Sequence, residues 1–391
     1  MGLRRTARGH FWQVIPAAGS SLDAPTGPGG PHPGALAGPP IDWAGLRRVL
    51  VVRQDNLGDV LATGPALRAL RRAAPSAALH LLAAPAGAAA ADLLPEVDAV
   101  LVHSPTWQLA GPAPAPDPAA ELALVQRLRD GAYDAAVVLT SFSQSPWPAA
   151  YACLLAGIPL RVGLSKEFGG ALLTHWVPSP PDELHQVDRA LYLLARLGVP
   201  DDGTALRAVV PAVMAAHPSS AVPTSARSNP TPPYAVVLPG ASCSSRRWST
   251  AGFSQLVREL SAAGLQVRVA GPSAEADLVA KVCAGTTGLP VLDLDVVGLA
   301  RLVLGAEVVV CNNSGGMHLA DALGTPLVVA FAGTELEEQY APRSTRAVVL
   351  RRPTLCSPCR LFTCPYAHEC LDLDPAEVAA AALSLLRERA A

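Results

Sequence analysis

Twice along this chain, short β-branched apolar runs alternate with helix-length segments. A run with no polar face is fully buried, and a parallel sheet covered by helices on both sides buries it. The first series comprises 49–52, 79–82, 99–102 and 135–139, with a further short run at 158–163. The second comprises 235–238, 267–270, 291–294, 308–311 and 327–331. Helix spacing is clearest after Ser249 and Thr250, where Phe253, Leu256, Val257 and Leu260 share one face and Gly264 stops the pattern. A second such face, Val187, Leu191, Leu194 and Leu197, predicts a helix over 185–198. Pro65 falls inside the helical pattern of 60–73 and predicts a kink or a restart after Gly64. An Ala/Pro/Ser-rich stretch at 212–233 separates the two series and reads as a linker. The expected class is therefore α/β, with two Rossmann-like doubly wound domains, 46–211 and 234–355, facing each other across a cleft.

Composition narrows the partners. The 391 residues, 50% of them hydrophobic, can fill two or three cores. No window approaches the roughly 18 uninterrupted apolar residues of a membrane span, and a formal net charge of -2 gives no reason to expect nucleic acid or more than peripheral membrane contact. Residues 1–45 are rich in Pro, Gly and Ala. Met1-Gly2 and Arg4-Arg5 mimic lipidation and export signals, but no apolar segment follows, so a disordered leader and a cytoplasmic protein are expected. Cys153, Cys243, Cys283 and Cys311 then read as free thiols. The Cys-rich segment and C-terminal helix, 356–391, hold Cys356, Cys359, Cys364 and Cys370 with His368 among them. The first pair has zinc-knuckle spacing and the second is too wide for a standard partner, so thiols without a metal are expected.

Three stretches carry chemistry. The run 308–311 stops at Asn312-Asn313-Ser314-Gly315-Gly316, and a helical pattern then runs to Gly324. Ser314 suits an N-cap. Gly315 and Gly316 carry no side chains to shield the first-turn N–H groups, which together with the dipole form an anion site, most usefully for phosphate. His318, one turn on, is a candidate phosphate donor. The loop 239–248 follows the first strand of the same domain; its small residues and hydroxyls, Ser242 among them, suit an anion, and Arg246 and Arg247 add fork-shaped donors. In the first domain Asp59 opens a helix, with Asp55 as its competitor, and either suits an N-cap, a dipole partner or a catalytic base. The pairs Asp293/Asp295 and Asp372/Asp374 superficially match a metal-binding Asp-x-Asp but read as structural.

In order, Arg53-Gln54-Asp55-Asn56-Leu57-Gly58-Asp59 after its strand, Pro239-Gly240-Ala241 with Arg246-Arg247-Trp248, Asn312 to Ala320, and the Cys-rich tail resemble glycosyltransferase family 9, from about residue 48 to the C-terminus. The resemblance implies a GT-B fold, an N-terminal acceptor domain, a C-terminal nucleotide-sugar domain and inverting transfer that needs no cofactor or metal. It implies that Asp59 is the general base, that Arg246 meets the diphosphate, that Ser314, Gly315 and His318 form the phosphate turn, and that Glu275 holds the ribose hydroxyls. The expected donor is a nucleotide-diphosphate sugar, ADP-heptose foremost, and the expected acceptor is lipid-linked or a polysaccharide at the inner face of the membrane. Asn313 stands where the family usually has Asp, and Gly316 where it often has Pro. Two rivals remain on sequence grounds. One is a non-catalytic sugar-nucleotide sensor; the other is a nicotinamide dehydrogenase, disfavoured because Gly-x-Gly-x-x-Gly is absent after the first strand of either domain.

Overall fold

The computed structural model describes residues 4–5, 11–15, 38–108, 115–211 and 232–390. Most of the leader and nearly all of the linker expected at 212–233 lie outside the described residues. The chain divides into two compact units, one of residues 19–204 and one of 205–391 with the first 18 residues.

In the first unit six parallel strands lie in the order Ala99–Val102, Ala78–Ala83, Arg48–Val52, Ala135–Val138, Leu160–Ser165 and His175–Pro178. Numbered along the chain this is 3-2-1-4-5-6, the doubly wound order, in which the crossovers reverse direction between strands one and four. The central strands are apolar on both faces, and Val49, Leu50, Val51 and Ala135 to Val137 are fully buried. Each such side chain of Val or Leu size contributes roughly 1.5–3 kcal/mol by leaving water. The helical pattern of 60–73 is broken as Pro65 requires: one helix covers Leu57–Leu61 and a second restarts at Gly64–Ala73 with Pro65 in its first turn, where a missing N–H costs nothing. The strand His175–Pro178 escaped the sequence reading because it is short and ends on a proline, which blurs the pattern.

The second unit repeats the plan. Its parallel strands run Leu289–Leu292, Gln266–Gly271, Tyr234–Leu238, Val308–Asn312, Leu327–Ala330 and Ala347–Leu350, again 3-2-1-4-5-6. Phe11–Ile15 adds an antiparallel strand beside Ala347–Leu350 and Arg4–Arg5 pairs with it in turn, so these parts of the leader expected to be disordered extend the sheet. The helix Thr250–Ala262 buries Phe253, Leu256, Val257 and Leu260 as its spacing predicts, and Ser249 caps it by accepting from the Gly252 N–H at 3.0 Å. Leu371, Leu373, Val378, Ala382 and Leu385 join the same hydrophobic cluster, so the C-terminal helix Pro375–Ala390 completes this unit's core. The edge strand lies at Leu289–Leu292, two residues earlier than the run suggested, because Asp293 turns into a left-handed conformation (φ 60) and Asp295 caps the next helix through the Gly298 N–H. Among the described residues no helix is long and apolar enough to cross a membrane.

Candidate active site

In an open doubly wound sheet, ligands bind at the carboxyl edge where the crossovers reverse. In the first unit that point lies between Arg48–Val52 and Ala135–Val138, and a polar cluster is built there. Arg53 leaves its buried strand with only 2% of its side chain exposed. Its Nε pairs with Asp55 at 2.8 Å, and its Nη2 reaches Asp59 Oδ1 at 3.2 Å and Ser141 Oγ at 2.9 Å. Asp59, in the first turn of Leu57–Leu61, also accepts from Gln186 Nε2 at 2.8 Å, again on Oδ1. Gln144 closes the cluster from the neighbouring loop, donating to Asp55 Oδ1 at 2.5 Å and accepting from the Ser141 N–H at 2.9 Å. The two aspartates thus differ in setting. Burial pushes the Asp55 carboxyl above the usual carboxylate range, with Arg53 and Gln144 acting the other way and Asp59 adding to the rise. Asp59, with 21% of its side chain exposed against 11% for Asp55, is the more accessible of the two. Neither caps its helix, since Asn56 holds that position.

The sequence reading singled out Asp59 and Asp55 but gave no role to Arg53 or Gln186. An arginine directly after four apolar strand residues was the available signal for the first. Gln186 stands 127 residues from Asp59 and gave none.

The reversal point of the second unit lies between Tyr234–Leu238 and Val308–Asn312, and there the predicted anion turn and the arginine loop meet. Asn312, fully buried, accepts from the Trp248 N–H at 3.0 Å and donates to Pro239 O at 2.8 Å. Asn313, 2% exposed, accepts from the Ala332 N–H at 3.0 Å. The two asparagines therefore fasten the central turn to the loops on either side. The helix begins at Gly315 and runs to Leu323, and Gly324 adopts the left-handed conformation (φ 73) expected of it. Ser314 occupies the N-cap position with extended backbone, but its hydroxyl makes no capping bond, unlike the expected cap. Gly316 has a packing role besides leaving the turn open: a Cβ there would lie 2.5 Å from Leu238 Cδ1. His318 is 8% exposed, and its ring packs edge-on against Tyr340.

Both arginines have carboxylate partners. Arg246 Nη2 lies 2.6 Å from Glu335 Oε1, and its Nε donates to Thr334 Oγ1 at 3.2 Å. Arg247 donates to Ala241 O and, at 3.2 Å, to Glu275 Oε1. Glu275 lies against the loop so closely that a Cβ on Gly240 would meet its Oε2, which is why glycine stands at 240. Burial pushes the Glu275 carboxyl up, while Arg247 and an Ala241 backbone bond act the other way. Ser242 is exposed on the same loop. The Cys-rich segment buttresses both loops, with Cys359 N–H on Gly333 O, Arg360 N–H on Thr334 O, and Ser245 N–H on Phe362 O. All eight cysteines are free, and among the described residues no group of three or more His, Cys, Asp or Glu is arranged to hold a metal ion.

Two switch-point clusters, one built around a carboxylate and one around cations and helix N–H groups, suit proton removal and anion binding respectively. Lipopolysaccharide heptosyltransferase 1 of Pseudomonas aeruginosa is 31% identical over 143 residues, a stretch that is 36% of this chain and 40% of that relative's length. Among solved structures, ADP-heptose lipopolysaccharide heptosyltransferase II of E. coli superposes with a TM-score of 0.69 at 20% identity, covering 88% of this chain and 100% of that one. E. coli heptosyltransferase WaaC with ADP gives 0.65 at 20% identity, with the same coverage. These likenesses establish the GT-B class of fold. The model of glycosyltransferase family 9 (heptosyltransferase) matches residues 121–369, more than half of the chain, and the protein therefore belongs to that family.

Proposed function

We propose that this protein is an inverting glycosyltransferase that needs no metal and moves a sugar, heptose from ADP-heptose foremost, onto a lipid-linked or polysaccharide acceptor of cell-envelope glycan synthesis. What supports this reading is that one chain carries both Arg246 beside the open Gly315–Leu323 N-terminus at the switch point of one unit and the Arg53-held Asp59 at the switch point of the other. Asp59 takes the acceptor hydroxyl proton as that oxygen attacks the anomeric carbon. The carbon–phosphate oxygen bond breaks on the opposite face, and its electrons leave with the nucleoside diphosphate. Both donors to Asp59 fall on Oδ1, which leaves Oδ2 for the proton. Charge building on the departing diphosphate is met by fixed donors: Arg246, Arg247 and the N–H groups of Ser314, Gly315 and Gly316, a form of stabilisation that needs no rearrangement during the step. Ser242, Asn313 and His318 complete the donor loop and turn, and Glu275 takes the ribose hydroxyls. Solved relatives support the nucleotide, since one is WaaC with ADP and another is WaaC with ADP-2-deoxy-2-fluoro heptose.

Purified protein given ADP-heptose and a cell-envelope extract is expected to release ADP continuously. Asp59→Ala should abolish that release while ADP affinity, read by calorimetry, stays at the wild-type value. Wild-type turnover in the variant would remove Asp59 as the base, and ADP binding without turnover in the wild type would leave a sensor.

A further inference from the structure

The cation assigned to the diphosphate is not bare. Arg246 and Glu335 form a pair at 2.6 Å whose side chains are only 23% and 16% exposed. Arg246 comes from the loop after Tyr234–Leu238, whereas Thr334 and Glu335 come from the loop after Leu327–Ala330. Between these two strands lies Val308–Asn312, the strand that ends in the Ser314 turn. The pair therefore spans the carboxyl end of the strand whose following helix opens the anion site. Its acidic side has a fixed base, because Gly333 O, Thr334 O and the Ala332 N–H are all engaged by Cys359, Arg360 and Asn313. A carboxylate and a phosphate oxygen are acceptors of one charge sign and similar geometry, so both cannot hold the same guanidinium N–H at full strength.

We propose that Glu335 is the resident counter-ion of the donor site. It holds Arg246 when no diphosphate is bound, a nucleoside diphosphate displaces it, and by re-forming the pair it sets the affinity for the departing nucleotide. The inference rests on the reading of Arg246 as a diphosphate ligand. A glutamate that only braced the loop makes the opposite prediction, since its loss would free Arg246 to wander and weaken binding.

Calorimetry with ADP on the full-length protein separates the two. In Glu335→Gln the amide oxygen still accepts from Arg246, but the competing charge is gone. ADP should bind roughly three- to tenfold more tightly than to wild type, the scale of one partly covered ion pair, and added salt should erode the gain. In the double variant Arg246→Ala/Glu335→Gln the gain should vanish. Glu335→Ser, checked for folding by circular dichroism, repeats the measurement if the first variant is unstable. Unchanged or weaker ADP binding by a folded Glu335 variant overturns the counter-ion role alone. No ADP binding by wild type, or unaltered binding by Arg246→Ala, removes the diphosphate reading and the counter-ion with it.

Discussion

At the scale of single residues, the asparagine pair before Ser314 shows how a ligand-shaped motif can be held up from within. Asn312 makes three hydrogen bonds to backbone on the flanking loop, to the Trp248 N–H and to the carbonyls of Pro239 and Gly240. Asn312→Ala leaves those buried groups unpaired and opens a small cavity, so stability should fall by about 2–4 kcal/mol. Denaturant unfolding measures the loss, and a cost below about 1 kcal/mol would mean that water replaces the amide. Asn313, an expected donor contact, has its oxygen on the Ala332 N–H, a bond that the carboxylate usual in the family can also accept, so the departure from Asp keeps the architecture of the turn.

At the scale of elements, the helix Gly315–Leu323 is fixed at its far end and open at its near one. Asp321, 2% exposed, accepts from the backbone N–H groups of Arg343, Ser344 and Thr345. Gly324 then reverses the chain without a Cβ penalty. Burial pushes the Asp321 carboxyl above its usual range despite those three bonds. The folded protein therefore keeps this proton to higher pH than the unfolded chain does, and the associated stability is lost as pH rises from about 4 through the raised value. Asp321→Asn has no proton to lose. The stability of wild type relative to the variant should be greatest near pH 4 and should shrink towards pH 7, read from denaturant unfolding at several pH values. A difference that grows with pH would show that the three hydrogen bonds outweigh burial.

At the scale of the whole molecule, each unit carries a complete core and its own switch-point site. Arg246, Arg247, Glu275, Ser314, His318 and Glu335 all belong to the unit of residues 205–391, whose first residues are tied to it by Leu206 N–H on Ser344 Oγ and Ala208 N–H on Ala322 O. A fragment of residues 205–391 is expected to fold and to bind ADP with an affinity comparable to that of the full chain. If a folded fragment fails to bind ADP in calorimetry, the other unit contributes donor contacts.

What the sequence determined by itself was whatever depends on neighbours along the chain. The apolar runs set strands, the spacing of Phe253 to Leu260 set a helix face, Pro65 set a break, and Gly324 set a left-handed stop. The alternation of strand and helix set the class of fold, and the turns following the strands marked the ligand-bearing edge. Tertiary structure decided what depends on contacts between distant segments. Only the sheet order brings Gln186 to Asp59, Ser141 to Arg53 and Glu335 to Arg246, across separations of 127, 88 and 89 residues. It also gave Asn313 and Gly316 packing roles in the turn, an Ala332 N–H for the one and Leu238 for the other. Hydrogen bonds and close packing are made between side chains that meet in space, and no periodicity records which strands lie side by side.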